Sequence, residues 1–519
     1  MNKTTPPEGK SPQYPGFGNF ATMIKIIRGR LAVPVSVPNP FDANADVAIY
    51  KDTAEAGLAL LPSRYHAAYV NILIRAAELA EPTLKNTGLR NILKRKQVLS
   101  QLQEAFKVLA APIVQLRSTK HEAELKAYLA LSSNLYQRFI SDEKIDQLNQ
   151  GSGSWPDLDP LGFFVDEPGV GPYTVVPSRE MPLSLVSKPA SQMACLPLWV
   201  LDGHEVGGHG IHSILNGFAT DMADALETAV ATAFASGKLN LSGKISKRIA
   251  HLVLPAGRKR DLSAEEFCKH LARTFSLELA ADMAGVLNFG PMFANGLMLY
   301  FSAENKNGLL SSGGKLIEKG NYDAHPSDVI RAMAAIEAVR LLDLKDGSNY
   351  VADLSSRLNQ ASTVGGTFAF TTGDGSEVVS LPYADVKALI PVLVSAALTT
   401  ALPCLANRSL KEVLTWTDAD QTIVNKLAAT IGGAKFAADD SEARHIVAAS
   451  LLALEQNSQI PEQDLRKLAA KIQVNGVKAL KSLYAEQCIL CAVPTYARSR
   501  RTETSLLGLL ARVRRARGD

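Results

Sequence analysis

A chain of 519 residues, 46% hydrophobic and 20% charged, is a globular protein longer than one hydrophobic core usually serves, which predicts two or three packed lobes. A net charge of +4 is small for this length and no nucleic-acid-binding motif occurs, so a nucleic-acid partner is not expected. Five cysteines are too few for a disulfide scaffold, and no apolar run follows Met1 to act as a signal peptide, so the expected address is cytoplasmic.

Plentiful alanine and leucine, with aromatics at only 6%, favour a mainly α fold. Residues 1–46 are rich in Pro, Gly and Asn and predict an irregular arm. From 47 to 150, Ala- and Leu-rich segments carry charges at helical spacing, as over 69–79, and predict a helical region. His66 and His121 sit there among charged or aromatic neighbours and suit packing or solvent-facing roles rather than ligation. Residues 151–188 turn to Gly, Pro and Asp with β-prone runs at 172–177 and 183–186, which marks a domain boundary followed by one or two short strands. Such strands could offer an edge to an extended peptide.

The stretch His204-Glu205-Val206-Gly207-Gly208-His209, led by the apolar run 195–201, reads as a metal site on a buried helix. Two His four residues apart in H-E-x-x-H share a helical face, with Glu as general base. Here they stand five apart, and a straight helix would splay them by roughly 140°. A π-bulge absorbs one extra residue, and Gly207 and Gly208 have no Cβ to oppose it. The alternative is an undistorted helix, on which Glu205, His209 and His212 share a face and Glu205 becomes a ligand.

A helix is expected over 221–235, then a basic connection over 236–260 in which His251 has no partner pattern. A long helix over 263–287 opens on a capping box, Ser263 to Glu266. Glu278 and Asp282 share a face of it among Leu and Ala, a costly burial unless something cationic meets them. His325 lies at a His-Pro turn before a helix that runs from about 329 to 344. Arg331 falls in the first turns of that helix, where the dipole does not favour a cation, so a carboxylate is expected to hold it.

In order and separation, these three stretches resemble the zinc endopeptidases related to the CAAX prenyl protease and the heat-shock protease of bacterial inner membranes. Those have H-E-x-x-H, then E-x-x-x-D commonly ending in Gly, then a His-Pro turn followed by Arg. The matching residues here are His204 to His209, Glu278 to Asp282 with Gly285, and His325-Pro326 with Arg331. The added glycine is similar instead to the H-E-x-x-G-H helix of the dipeptidyl peptidase III family. The resemblance covers roughly 172–345 and implies a gluzincin-type zinc peptidase acting on a peptide or protein substrate. It implies that His204, His209 and Glu278 bind Zn2+ and that Glu205 is the general base. It further implies that Asp282 orients a ligand histidine, His325 faces the oxyanion and Arg331 braces the site. The expected fold is mainly α: a metallopeptidase-like core over 151–345, with short strands beside the metal helix, between helical flanks.

Residues 346–497 predict a mainly helical region with a hairpin over 366–379, its turn at Asp374-Gly375. The nineteen uncharged residues 388–406 approach the length of a membrane span, but Pro391, Pro403 and several Ser and Thr favour a buried or interfacial helix. Cys488-x-x-Cys491 stands alone, so ordinary thiols are expected. The Arg-rich tail 498–519 suits an anionic surface, yet a solvated chain end is the expectation and membrane association is not favoured. Two other readings stand beside the peptidase: a catalytically inactive, metal-clasped helical interaction protein, and a different metal-dependent enzyme using Glu205, His209 and His212.

Overall fold

The computed structural model describes residues 16–41, 48–85, 88, 92–139, 158–167, 171–177, 181–241, 263–312, 314–316, 325–362, 367–372, 378–439 and 441–486. Helices dominate them, as the composition predicts, and two three-stranded sheets accompany the helices. His251, the Asp374-Gly375 turn, the Cys488-x-x-Cys491 pair and the tail 498–519 lie outside the described residues.

The arm expected over 1–46 contains a helix, α1 (Phe20–Leu31). Asn19 caps it by accepting the Thr22 N–H, and Phe20, Met23, Ile24 and Ile27 form a buried stripe at helical spacing. The stripe is readable in the sequence but is overshadowed by the Pro and Gly around it. The helical region follows as expected, with α2 (Ala48–Leu60), α3 (Asn71–Lys85), α4 (Ile92–Leu109), α5 (Ala111–Arg117) and α6 (Glu122–Phe139). His66 Nε2 lies 2.8 Å from the Leu61 carbonyl and His121 Nε2 3.3 Å from that of Ser36, both packing roles.

Three strands come next, one more than expected: β1 (Leu161–Val165), β2 (Tyr173–Val175) and β3 (Leu185–Pro189), in the order β1-β3-β2. β1 runs parallel to β3 with Leu161 opposite Leu185, and β2 runs antiparallel with Thr174 opposite Val186. β1 is buried on both faces and so lacks the alternation that marks a half-exposed strand. Residues 196–210 then form a composite helix described below. It is followed by α7 (Phe218–Ala235), α8 (Ala264–Thr274) and α9 (Ser276–Phe289).

The single helix expected over 263–287 is thus two. Phe275 leaves helical geometry at φ −89°, ψ 1°, and the hydroxyls of Thr274 and Ser276 donate to the carbonyls of His270 and Arg273, a back-bonding that bends helices. The capping box of Ser263 and Glu266 is formed at the start of α8.

The chain continues through α10 (Pro291–Glu304), β4 (Gly314–Leu316), α11 (Asp328–Arg340), α12 (Gly347–Ala361), β5 (Thr367–Thr372) and β6 (Val378–Pro382). It ends with α13 (Tyr383–Thr399), α14 (Asp418–Ala428), α15 (Ala443–Gln456) and α16 (Glu462–Glu486). β5 and β6 are antiparallel as expected, and β4 adds to β5 in parallel, which was not. Most of the uncharged stretch 388–406 is α13, whose Val386, Leu389, Ile390, Leu393 and Val394 are buried where it packs against α7 and α11. Among the described residues no helix is long and apolar enough to cross a membrane.

α9 is the central element, buried continuously from Glu278 to Phe289 and packed against the composite helix, α7, α10, α11, α13 and α15. The buried apolar side chains from Phe20 to Leu480 belong to one contiguous cluster. Anything mounted on α9 is therefore held from every side.

Candidate metal centre

The composite helix changes its winding twice. Leu196–Leu201 is 3₁₀, Asp202–His204 is α, and Glu205–Gly210 is π. Hydrogen bonds from i to i+5 widen the turn so that residues five apart share a face. His204 and His209 accordingly meet, with ring centroids 4.7 Å apart and planes perpendicular. The π-bulge reading of the extra glycine holds, and the straight helix behind the alternative Glu205/His209/His212 site is absent.

The glycines have a further reason. A Cβ on Gly208 would lie 2.6 Å from Cα of Ala281, and one on Gly203 would lie 2.7 Å from Cα of Gly285. The composite helix thus crosses α9 almost backbone to backbone, and this brings Glu278 and Asp282 to the histidines.

His204, His209 and Glu278 each offer a ligand atom within 4.8 Å of the others, the one such group among the described residues. Glu278 Oε1 lies 3.1 Å from His209 Nε2, and Oε2 lies 3.4 Å from His204 Nε2. Oε2 is buried without a hydrogen-bond partner, an orphaned acceptor facing the imidazoles. Burial opposes the charge of Glu278, but His209 and His204 outweigh it and hold the carboxyl well below the usual range.

Behind this trio, Asp282 Oδ1 lies 2.8 Å from His204 Nδ1, which fixes Nδ1 as the protonated nitrogen and turns Nε2 towards Glu278. Arg331, from the first turn of α11, donates to both Asp282 oxygens at 2.6 and 2.8 Å. The carboxylate expected to hold Arg331 is therefore Asp282. Burial disfavours charge on both; the pairing nevertheless holds Asp282 below and Arg331 above their ordinary values. Burial and Arg331 also oppose a proton on His204, yet Asp282 and Glu278 hold its pKa up at about 9. Three carboxylates, Glu205, Glu278 and Asp282, face one fixed cation. Together they carry a formal charge of −2, and the donors among them and beside them, two imidazole nitrogens and the Glu278 carboxylate, could hold a divalent metal ion with a position left open.

Glu205 is buried but outside the trio. The Thr174 hydroxyl on β2 lies 3.3 Å from its Oε2 and 3.1 Å from its backbone carbonyl. Thr174 is a site residue that the sequence reading missed, although the strand carrying it was expected. His325 reaches the cluster from outside, 62% exposed, with Nε2 3.6 Å from Glu278 Oε2. His212 does not join. It stacks on Phe218 at 4.0 Å, both ring nitrogens lack partners, and burial with the nearby His209 and His204 keeps it neutral.

A second missed feature anchors the composite helix. Asp202 meets the fully buried Lys188 of β3 at 2.8 Å and accepts from the Tyr128 hydroxyl at 3.2 Å. Its carboxyl is pushed up to about 6 by burial, against the pull of Lys188. No protein-family model matches the chain, and neither does a curated protein or a solved structure.

Proposed function

We propose that this protein is a zinc-dependent peptidase of the gluzincin type, with His204, His209 and Glu278 as ligands and Glu205 as general base. The observation that carries the reading is the separation of two buried acids. Glu278 closes on two imidazoles, while Glu205, adjacent to His204 in the chain, lies outside that group with the Thr174 hydroxyl 3.3 Å from its Oε2. Ligand and base are thus distinct groups on one rigid frame. When bound, zinc would supply a Lewis acid that lowers the pKa of a water to about 7.

Glu205 would take the proton from that water and later deliver it to the departing amine. Thr174 would hold the Glu205 carboxylate in line, and Asp282, gripped by Arg331, would keep His204 in the ligating tautomer. His325, the most exposed imidazole of the cluster, would donate to the oxygen of the carbonyl under attack.

Metal analysis and cleavage of a diverse peptide library test this together. Wild type is expected to bind one zinc, and His204→Ala and Glu278→Ala to lose it. Glu205→Gln is expected to keep the metal and lose about a hundredfold or more in turnover. Unchanged metal content in both ligand variants would end the assignment. Zinc binding without chelator-sensitive cleavage would favour the metal-clasped interaction protein.

A further inference from the structure

The start of α4 is at odds with solvent on two counts. Ile92 and Leu93 are 41% and 82% exposed, and Leu93 is the most exposed large hydrophobic side chain among the described residues. Lys94, Arg95 and Lys96 follow at once, two of them exposed and Arg95 half-buried, and no acid appears in the chain until Glu104. None of the three cations has an ion pair among the described residues, whereas Lys85, at the end of the neighbouring α3, is tied to Glu81. They also occupy the first turns of a helix, where the backbone dipole repels positive charge and where α4 has no acidic residue.

Exposed aliphatics and unpaired cations at the wrong helix end are separate costs, and one kind of partner removes both. At the surface of an anionic bilayer, aliphatic side chains enter the acyl boundary while lysine and arginine meet the headgroups. An acidic protein groove would neutralise the cations, but two adjacent aliphatics projecting from a helix start suit insertion into a fluid layer better than a shaped pocket.

We propose that the N-terminal turn of α4 docks on anionic lipid bilayers, with Ile92 and Leu93 inserted and Lys94, Arg95 and Lys96 at the headgroups. The site is independent of the metal centre and of the peptidase reading.

Co-sedimentation of the full chain with vesicles tests this, using phosphatidylcholine alone or mixed with phosphatidylserine. Binding is expected only to the mixed vesicles and weakens as salt is raised. The K94Q/R95Q/K96Q variant should bind about a hundredfold more weakly, since each cation near such a surface contributes roughly fivefold. The I92S/L93S variant should also lose binding, and both should keep the wild-type circular dichroism spectrum because the altered side chains lie largely at the surface. Absence of binding to the mixed vesicles, or equal binding to neutral ones, would overturn the proposal. So would wild-type binding by both variants, which would transfer the contact to the Arg-rich tail. Self-association of wild type that I92S/L93S abolishes, without vesicle binding, would assign the face to a second copy instead.

Discussion

Thr174, whose hydroxyl lies 3.3 Å from Glu205 Oε2, would aim that carboxylate in the proposed peptidase, and this role can be separated from packing. Thr174→Val keeps the shape and removes the hydroxyl, so kcat/KM should fall about tenfold, the loss expected for one hydrogen bond to a charged group. Zinc content should stay unchanged and Thr174→Ser should restore activity; wild-type turnover by the Val variant would reduce Thr174 to a filler. Gly208 makes the opposite demand, for the absence of atoms. Gly208→Val places a side chain against the Ala281 backbone, so it should cost about 3 kcal/mol of stability and weaken zinc binding together. The bulge alone would predict a loss mainly in metal affinity. Urea unfolding and zinc titration of the one variant distinguish these, and a stable protein that does not bind zinc would favour the bulge alone.

Between elements, the junction of α14 and α15 shows how a capping residue also becomes a tie. Asp420 accepts the Thr417 N–H at 2.8 Å within the α14 capping box, and its other oxygen meets Arg444 and, at 2.9 Å, His445 Nε2. Arg444 is stacked over Trp416 and also paired with Glu442 at 3.0 Å; burial, with nearby Arg138, brings its pKa down to about 10. Burial opposes the charge of Asp420, but His445, Arg444 and Thr417 outweigh it and depress the carboxyl. A depressed carboxyl stabilises the fold above its unfolded pKa of about 4, and the contribution is lost as pH falls through the folded value. Asp420→Asn should therefore cost about 3 kcal/mol at pH 7 and progressively less below about pH 4. Urea unfolding of both proteins across that range checks it, and a difference independent of pH would rule out the ionic contribution.

Across the whole molecule, one buried arginine joins distant parts of the chain. Arg357 on α12 donates to both carboxylate oxygens of Glu455 on α15, at 2.7 and 2.8 Å, to Asn295 of α10 at 2.7 Å and to the Gly18 carbonyl at 2.8 Å. Its guanidinium also lies over the rings of Phe17 and Phe20. Arg357→Ala would leave Glu455 buried and unpaired, a loss of about 3 kcal/mol or more, whereas replacing both by leucine should recover part of it. The segment before α1 should become sensitive to limited proteolysis in the single variant. Wild-type stability of Arg357→Ala would show that the tie is not needed.

The mainly α fold and the gathering of His204, His209 and Glu278 were legible in the residues themselves. Helical spacing marks the flanks, and the histidines and acids of 204–209 and 278–282 are each presented by short local stretches whose character does not depend on the rest of the chain. The glycine pair even announced a distorted helix. What the sequence left open was which of two faces that helix would use, because His204 with His209 and Glu205 with His209 and His212 are both consistent with the order of residues. The composite helix seats Gly203, in its α turn, and Gly208, in its π turn, on the α9 backbone and leaves His212 against Phe218. Thr174 and Lys188 enter from other elements. Periodicity records which side of a helix seeks burial, whereas partners and distortions are set by whatever packs against it, and only the tertiary structure supplies that.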